Sequence, residues 1–341
     1  MIILLYSVAM STGGQGKNQT SSRLLESQFA DLGRELHLDE SDLRSGLSAA
    51  KEFPFLVPPA YVRKIETAAQ PEALILQVLP QGIEMRDTRG FSRDPLEEAR
   101  DAGSGLIEKY RGRLLVMVTR ACAGHCRFCF RRHLPEASLR QSRIEDAFRA
   151  RMEQESDISE VILSGGDPLV LSDDRLERWT RLVAAYPQVR RLRIHTRGPV
   201  FSPERITPAL VSALTASRLS VVLAVHANHA DELDDETRAS LDLLRRAGVM
   251  LISQTVLLTG VNDTTDVLVR LFTRLVECGV IPYYLHQLDR IAGAAHFEVG
   301  RNRGLALVQE LRHRLPGYMV PKYVEEVPGE PSKRPVKPLG A

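Results

Sequence analysis

Three of the four cysteines in the chain lie within eight residues of one another, at Cys122, Cys126 and Cys129. Their spacing is C-x3-C-x2-C, with an aromatic residue directly before the last cysteine. Three thiolates on one short loop can converge on one metal centre. Structural zinc sites want four protein ligands, whereas thiolates are the usual ligands of iron–sulfur clusters. The spacing therefore favours a [4Fe–4S] cluster with one iron left open to a substrate. The alternatives are a zinc site completed by His125 or His133, and unrelated buried thiols.

Two further segments carry residue types that could bind ligands. Ser164–Asp167 reads SGGD and follows a short apolar run; glycines let a backbone approach a ligand closely, and a carboxylate can accept hydrogen bonds from an ammonium group. Lys333 lies in the proline-rich stretch PGEPSKRPV. A lysine that forms a Schiff base needs a confined site and a lowered pKa, and flanking prolines would hold it rigidly. Taken alone, a glycine pair is typical of a turn and a single lysine is typical of a surface.

The elements that must position these segments alternate along the chain. From residue 114 onward, apolar β-branched runs alternate with stretches of helical period, which predicts βα units and a parallel sheet. The predicted strands are Leu114–Thr119, Glu160–Leu163, Arg191–Thr196, Leu219–His226, Val249–Thr255 and Ile281–Gln287. Polar side chains follow every one of them, and barrel enzymes place their active sites at the carboxyl ends of their strands. We therefore expect an α/β fold whose core is a partial, TIM-like (β/α)6 barrel.

The rest of the chain divides around this barrel. Residues 1–20 are expected to be disordered or an over-extended start, and residues 21–105 a helical region. The barrel is expected to span residues 106–315, and residues 316–341 an extended C-terminal segment, because prolines disfavour helix. Helical periodicity in the N-terminal region predicts helices at Ser22–Leu32, Glu40–Ala50 and Pro59–Ala69. No residue of that region shows an evident chemical role.

Composition excludes several classes of function. The chain of 341 residues carries 45 basic and 43 acidic residues, a net charge of +2. This balance predicts neither a nucleic-acid groove nor binding to an anionic membrane. Clustered cysteines argue against a disulfide framework and for a reducing, cytoplasmic location. The apolar start is far shorter than the ~20 residues of a membrane span.

The cysteine motif resembles that of radical S-adenosylmethionine (SAM) enzymes, and longer segments resemble the lysine 2,3-aminomutase family. The resemblance runs from about Phe91 to Val336. The segments that carry it are DPLEE at Asp94–Glu98, CRFCFRRH at Cys126–His133, SGGDPL at Ser164–Leu169, RIHTRGPV at Arg193–Val200, PERIT at Pro203–Thr207, HANHADEL at His226–Leu233, SQTVLLTGVND at Ser253–Asp263, PYYLHQLD at Pro282–Asp289 and GAAHF at Gly293–Phe297. The segments PYYLHQLD and GEPSK, together with the short C-terminus, resemble those of the branch that serves β-lysylation of elongation factor P.

The resemblance implies an isomerase that makes (R)-β-lysine from L-lysine in a barrel of the radical SAM type. Its cofactors would be a [4Fe–4S] cluster, SAM and pyridoxal 5′-phosphate (PLP). It also implies an electron donor such as a flavodoxin or ferredoxin, and a functional link to elongation factor P and its lysine ligase. Two alternatives stay open at this point. One is a radical SAM enzyme acting on another amino acid or substrate, and the other is a zinc-stabilised binding protein without catalysis.

The same resemblance assigns roles to positions that match the family pattern. The three clustered cysteines match the cluster ligands, and Lys333 matches the lysine that holds PLP as a Schiff base. The positions that match PLP contacts are Lys109, Tyr110 and Arg113, with Arg113 on the phosphate and Lys109 standing where larger relatives have arginine. The positions that match SAM contacts are Ser164, Gly165, Gly166, Asp167, His226 and Gln254. Those that match substrate contacts are Arg131, for the carboxylate, and Asp289 and Glu326, for the ε-ammonium.

Overall fold

The computed structural model describes residues 40–99, 103–134, 141–154 and 157–338. Within these ranges nine strands form one sheet, and their spatial order follows the order of the chain. Strands β2 to β8 run parallel, whereas β1 and β9 pair antiparallel at the two edges. The strands are β1 Leu106–Ile107, β2 Arg113–Thr119, β3 Glu160–Gly165, β4 Arg191–Thr196, β5 Ser220–His226, β6 Met250–Val256, β7 Ile281–His286, β8 Lys322–Glu325 and β9 Arg334–Pro335.

Helices follow the parallel strands, as the alternating pattern predicts. The helices are α1 Glu40–Glu52, α2 Pro59–Thr67, α3 Pro71–Ile75, α4 Gln141–Glu153, α5 Asp173–Ala184, α6 Gly198–Phe201, α7 Pro208–Thr215, α8 Asp235–Arg246, α9 Thr265–Glu277 and α10 Arg301–Arg314. Local capping fixes several starts: Asp234 accepts a hydrogen bond from the Thr237 amide of α8 at 2.8 Å, and the Thr264 side chain caps α9. In the described part of the chain, no helix is long and apolar enough to cross a membrane.

The architecture confirms the predicted α/β fold with a partial barrel. The six predicted strands correspond to β2 through β7. No backbone pairing joins β1 to β9 among the described residues, so the sheet stays open. The two edges of the opening are bridged by side chains, since the Lys109 ammonium, ahead of β2, lies 2.9 Å from the carboxylate of Glu326, after β8. An ion pair thus lies where a closed barrel would have a ladder of hydrogen bonds.

The terminal regions differ in how far the sequence predicted them. The predicted helices Glu40–Ala50 and Pro59–Ala69 appear as α1 and α2, whereas residues 1–20 and the predicted helix Ser22–Leu32 lie outside the described residues. The C-terminal segment is extended, as predicted, but it also adds β8 and β9 to the sheet. The sheet therefore continues past residue 315, where the barrel was expected to end.

The two faces of each strand have different surroundings. On β4, Leu192 and Ile194 are fully buried under the helices, whereas Arg193 and His195 on the opposite face are only partly buried. The side-chain period of two in a strand produces this separation. The inner face of the sheet is accordingly lined by polar residues, which is unusual for a packed barrel and typical of one that holds ligands.

Candidate active site

The cysteine loop follows β2 directly and is fixed by the loop after β3. The amide of Gly166 donates to Thr119 O at 2.7 Å, and the amide of Asp167 donates to Ala121 O at 2.8 Å. A Cβ at Gly166 would lie 2.3 Å from Ala121 O, and Gly165 adopts a φ of +112°. The glycine pair is therefore required by the close approach of two backbones, and it aligns the cysteine loop with the predicted SAM-binding loop.

The N-terminal region clamps the other side of the cysteine loop. Arg127, fully buried, donates to both carboxylate oxygens of Glu84 at 2.9 and 2.7 Å and to Phe53 O at 2.9 Å. Arg132 reaches the same carboxylate at 2.6 Å. The sequence showed no evident chemical role for any residue of this region, and the contacts of Glu84 are structural ones that the sequence did not predict. Its arginine partners lie more than 40 residues away, beyond the reach of local patterns.

The three cysteines are free and partly buried. Burial raises the pKa of each thiol, and the other cysteines add to the effect at Cys122 and Cys129, where the pKa of Cys129 reaches about 11. Three thiolates packed together thus need a strongly cationic partner to ionise. An iron–sulfur cluster supplies such a partner, and this donor set fits one.

The described residues do not favour a site for a single zinc ion. Zn–S bonds of about 2.3 Å would bring tetrahedral sulfurs to about 3.8 Å from one another. Among the described residues, no three His, Cys, Asp or Glu side chains converge tightly enough to hold one ion. The two candidate histidines are engaged elsewhere, since His125 Nδ1 lies 2.8 Å from Pro54 O and His133 Nε2 lies 3.0 Å from Ala292 O.

The carboxylate of Asp167 is committed to the protein itself. It accepts hydrogen bonds from the Thr196 hydroxyl at 2.6 Å, the Arg197 amide at 2.8 Å and the Leu169 amide at 3.0 Å. These bonds tie the end of β3 to the end of β4. The predicted role of the SGGD loop toward SAM therefore rests on its backbone and on Ser164 more than on this carboxylate.

Unpartnered imidazoles point to a ligand space within the sheet. His226 and Gln254, both predicted SAM contacts, are register partners on β5 and β6. The Nε2 atoms of His195, His226 and His286 are buried and lack a hydrogen-bond partner among the described residues. Burial lowers the pKa of all three, that of His226 to about 3, so the rings are neutral. Buried polar atoms normally have partners, and bound SAM and PLP would supply them.

A chain of alternating charges crosses the mouth of the barrel. The Arg131 Nε lies 2.7 Å from one oxygen of Glu98, whose other oxygen lies 2.9 Å from the Lys109 ammonium. Lys109 also pairs with Glu326 at 2.9 Å, and Glu326 pairs in turn with Lys333. We call these five residues the rim network. It brings together four residues that the sequence assigned to substrate or PLP, and adds Glu98, which was missed.

The electrostatics of the rim network differ between its two predicted substrate acids. Burial opposes the ionisation of Glu326, but Lys333 and Lys109 outweigh it and hold the pKa of Glu326 far below its usual value. The same charged residues act on Asp289, but there the two lysines do not outweigh the effect of burial. Burial and the charge of Glu326 raise the pKa of Asp289 to about 7, against the opposing effect of Lys333 and Lys109. Glu326 is thus ionised at neutral pH, whereas Asp289 titrates near neutral pH.

The predicted PLP contacts gather around Lys333. The Arg113 guanidinium stacks 4.9 Å from the ring centre of Tyr110, and burial together with Glu326 raises the pKa of Tyr110. The Lys333 ammonium lies 5.9 Å from the ring centre of Tyr284. The sequence assigned no ligand contact to Tyr284, His195 or His286. Their alternate positions on predicted strands were the available signal, because every second side chain of a strand faces the same side.

Comparisons with known proteins agree with this geometry. The sequence model of the Radical SAM superfamily matches residues 116–272. The L-lysine 2,3-aminomutase of Escherichia coli (strain K12) is 41% identical over 308 residues, which cover 90% of each chain. The enzyme of that name from Haemophilus influenzae is 39% identical, over 87% of this chain and 89% of the relative. That of Acetoanaerobium sticklandii is 35% identical, over 83% of this chain and 69% of the relative.

These relationships identify the chain as an isomerase and imply a [4Fe–4S] cluster, SAM and PLP as its cofactors. The free thiols, the unpartnered imidazoles and the confined Lys333 are residue types that fit those three groups. The chain belongs to the lysine 2,3-aminomutase family of radical SAM enzymes.

Proposed function

We propose that this protein converts L-lysine to (R)-β-lysine. The observation that carries the proposal is the rim network, which places an arginine fork, a candidate PLP lysine and a firmly ionised carboxylate around one opening. L-lysine offers the matching groups: a carboxylate, an α-amine and a distant ammonium. Relatives that share most of the chain carry the name L-lysine 2,3-aminomutase.

The cluster ligands in this proposal are Cys122, Cys126 and Cys129, and Lys333 holds PLP. When bound, the cluster and SAM supply one-electron chemistry, and PLP supplies a carbonyl for the substrate amine. The protein's own task is to hold these groups in register and to exclude water. The contacts between the cysteine loop and the SGGD loop serve the first task, because they fix the two loops to each other.

Arg131 binds the substrate carboxylate in this proposal. Its guanidinium is oriented by Glu98 and donates to Ser164 Oγ at 3.0 Å and to Gly165 O at 3.2 Å. A planar fork held from several sides is well suited to recognise a carboxylate. In this proposal the carboxylate end of the substrate lies beside the SGGD loop, which Arg131 contacts through Ser164 and Gly165.

Glu326 and Asp289 receive the ε-ammonium of the substrate. Glu326 is shared between the ammonium groups of Lys109 and Lys333. A carboxylate that already pairs with two ammonium groups is suited to accept the ammonium of the substrate as well. Asp289, with a pKa of about 7, ionises more readily once the ammonium of the substrate lies beside it. The pocket thus gains negative charge as the substrate binds and would reject glutamate.

The product is proposed to serve the β-lysylation of elongation factor P. The enzyme itself is proposed to receive its electron from a donor of the flavodoxin or ferredoxin type. What supports this finer role is the similarity of the segments PYYLHQLD and GEPSK to that branch of the family. Deleting the gene in its source organism should remove the β-lysyl group from elongation factor P, as measured by intact mass. Retention of the modification would refute this role and leave the aminomutase activity standing.

The central test is anaerobic turnover of L-lysine with SAM, PLP and dithionite, with the products resolved by position and chirality. We expect (R)-β-lysine, and no turnover by Lys333→Ala. Lys322→Ala is the matched control, because Lys322 also lies in the C-terminal segment but is exposed and stacks on Tyr283. Failure to form β-lysine, or faster turnover of ornithine or glutamate, would contradict the proposal.

A further inference from the structure

A buried arginine from the next strand reaches the sulfur of one candidate cluster ligand. Arg197 directly follows β4 and is 5% exposed. Its Nη1 donates to Cys126 Sγ at 2.7 Å. In the described part of the chain, neither of the other two cysteines accepts a hydrogen bond from this guanidinium. Arg197 therefore interacts with Cys126 within the cysteine motif.

The same arginine is paired with a buried carboxylate. Its Nη2 donates to Glu232 and to Gln77 Oε1, the latter at 2.6 Å. Glu232 is completely buried and also accepts from the Tyr61 hydroxyl at 2.9 Å and from the Asn228 amide at 2.6 Å. These partners satisfy the carboxylate on several sides. The result is an ion pair whose cationic end touches the sulfur of Cys126 and whose anionic end is held by other protein groups.

Aromatic rings enclose the guanidinium. Its central carbon lies 4.4 Å from the ring centre of Phe201 and 5.6 Å from those of Phe128 and Tyr61. This enclosure holds the side chain in one orientation and keeps water away. Charges act more strongly across such apolar surroundings than across water. A unit charge at hydrogen-bond distance from a cluster sulfur must therefore influence how readily the cluster accepts an electron.

We propose that Arg197 is a positioning residue that sets the reduction potential of the iron–sulfur cluster, and that the charge of Glu232 shifts this potential in the opposite direction. The inference rests on the proposed role of Cys126 as a cluster ligand. Hydrogen bonds to the sulfurs and local charge are known determinants of cluster potentials. A cluster that accepts one electron gains one negative charge, so a nearby cation favours the reduced form and a nearby carboxylate disfavours it.

The two partners should thus shift the potential in opposite directions. Arg197→Gln removes the cation and should make the potential more negative. Glu232→Gln removes the anion, keeps the arginine on the sulfur, and should make the potential more positive. Arg197→Lys keeps the charge without the planar fork and should lie closer to wild type than the glutamine variant. A change that was merely structural would not produce shifts of opposite sign.

The experiment is an anaerobic potentiometric titration of the cluster-loaded protein with dithionite, followed by electron paramagnetic resonance of the reduced cluster. We expect at least a tenfold change in the ratio of reduced to oxidised cluster at a fixed potential, equivalent to 59 mV for a one-electron couple. Arg205→Gln is the matched control. Arg205 follows the same strand but donates to Leu169 O and Leu171 O, and it should leave the potential unchanged.

Iron and sulfide are measured first, so that the two proposals can fail separately. A cluster that survives in Cys126→Ala would refute the ligand assignment and, with it, this inference. A full cluster in every variant, with potentials equal to wild type, would refute the inference alone. If Arg197→Gln fails to fold, Glu232→Gln and Arg197→Lys decide the outcome, and a Glu232→Gln potential at or below the wild-type value would overturn the proposal.

Discussion

The substitution Asp289→Asn should stabilise the protein and at the same time impair it. Asp289 is a carboxylate whose pKa is raised to about 7 by burial and by the charge of Glu326. Folding therefore favours its protonated form, and the ionised form has a free-energy cost that the asparagine variant does not have. The cost is absent below pH 4, where the carboxyl is protonated both folded and unfolded. It grows as the pH rises from about 4 to 7 and is constant above that.

The size of the effect follows from the two pKa values. The difference between a folded pKa of about 7 and the unperturbed value near 3.9 corresponds to at most about 4 kcal/mol. Asparagine should recover part of this, on the order of 1–3 kcal/mol at pH 8, because the site relaxes and admits some solvent. The same change removes the proposed charged partner of the substrate ammonium. We expect the activation free energy for lysine turnover to rise by about 1–3 kcal/mol, the usual range for such a hydrogen bond.

The assay is anaerobic urea unfolding of wild type and variant between pH 5 and pH 8. The stability of the variant relative to wild type should increase with pH and level off above 7. Glu326→Gln is the matched control, because the pKa of Glu326 is lowered by Lys333 and Lys109. Its removal should destabilise the protein at every pH above about 5. Equal pH slopes for wild type and Asp289→Asn, or a stabilising Glu326→Gln, would refute the electrostatic assignment of the rim network.

Further predictions address the cofactor sites and the clamp on the cysteine loop. Cys126→Ala should lose the cluster and all SAM cleavage, measured by iron content and chromatography of 5′-deoxyadenosine; full retention of both would rule it out as a ligand. Lys333→Ala should keep its iron and lose the reducible link to PLP, and borohydride trapping of PLP on another lysine would contradict the assignment. Glu84→Gln leaves two buried arginines without their carboxylate and should cost about 3–5 kcal/mol of stability in thermal or urea unfolding. Glu108→Gln, which loses a partly exposed pair with Arg151, should cost no more than about 1 kcal/mol, and equal losses in the two variants would refute the clamp.

The sequence predicted the features that local patterns encode. Apolar β-branched runs at a regular spacing located β2 to β7, because a parallel strand is buried on one or both faces along its whole length. The C-x3-C-x2-C spacing located the cysteine loop, since its three cysteines are close in the chain. The polar residues at the strand ends predicted that several polar side chains share one edge of the sheet, because parallel strands end on the same side.

Contacts between distant segments were beyond the sequence alone. Arg197 and Cys126 are 71 residues apart, and Lys109 and Glu326 are 217 apart. Which arginine pairs with which acid depends on the register of the strands and on the direction of side chains, and neither is expressed in local periodicity. The short strand β8 was missed for a related reason. Four residues beside a proline-rich stretch look like an extended tail until β7 supplies a partner.

The ion pair across the opening of the barrel also bears on the order in which the enzyme is made. Its two halves come from opposite ends of the barrel, with Lys109 ahead of β2 and Glu326 after β8. During synthesis the cysteine loop leaves the ribosome roughly 200 residues before Lys333 does. Synthesis proceeds from the N-terminus at about 5–20 residues per second. A nascent chain therefore displays its cysteines long before the pocket around Lys333 exists, and iron can meet the protein earlier than PLP can.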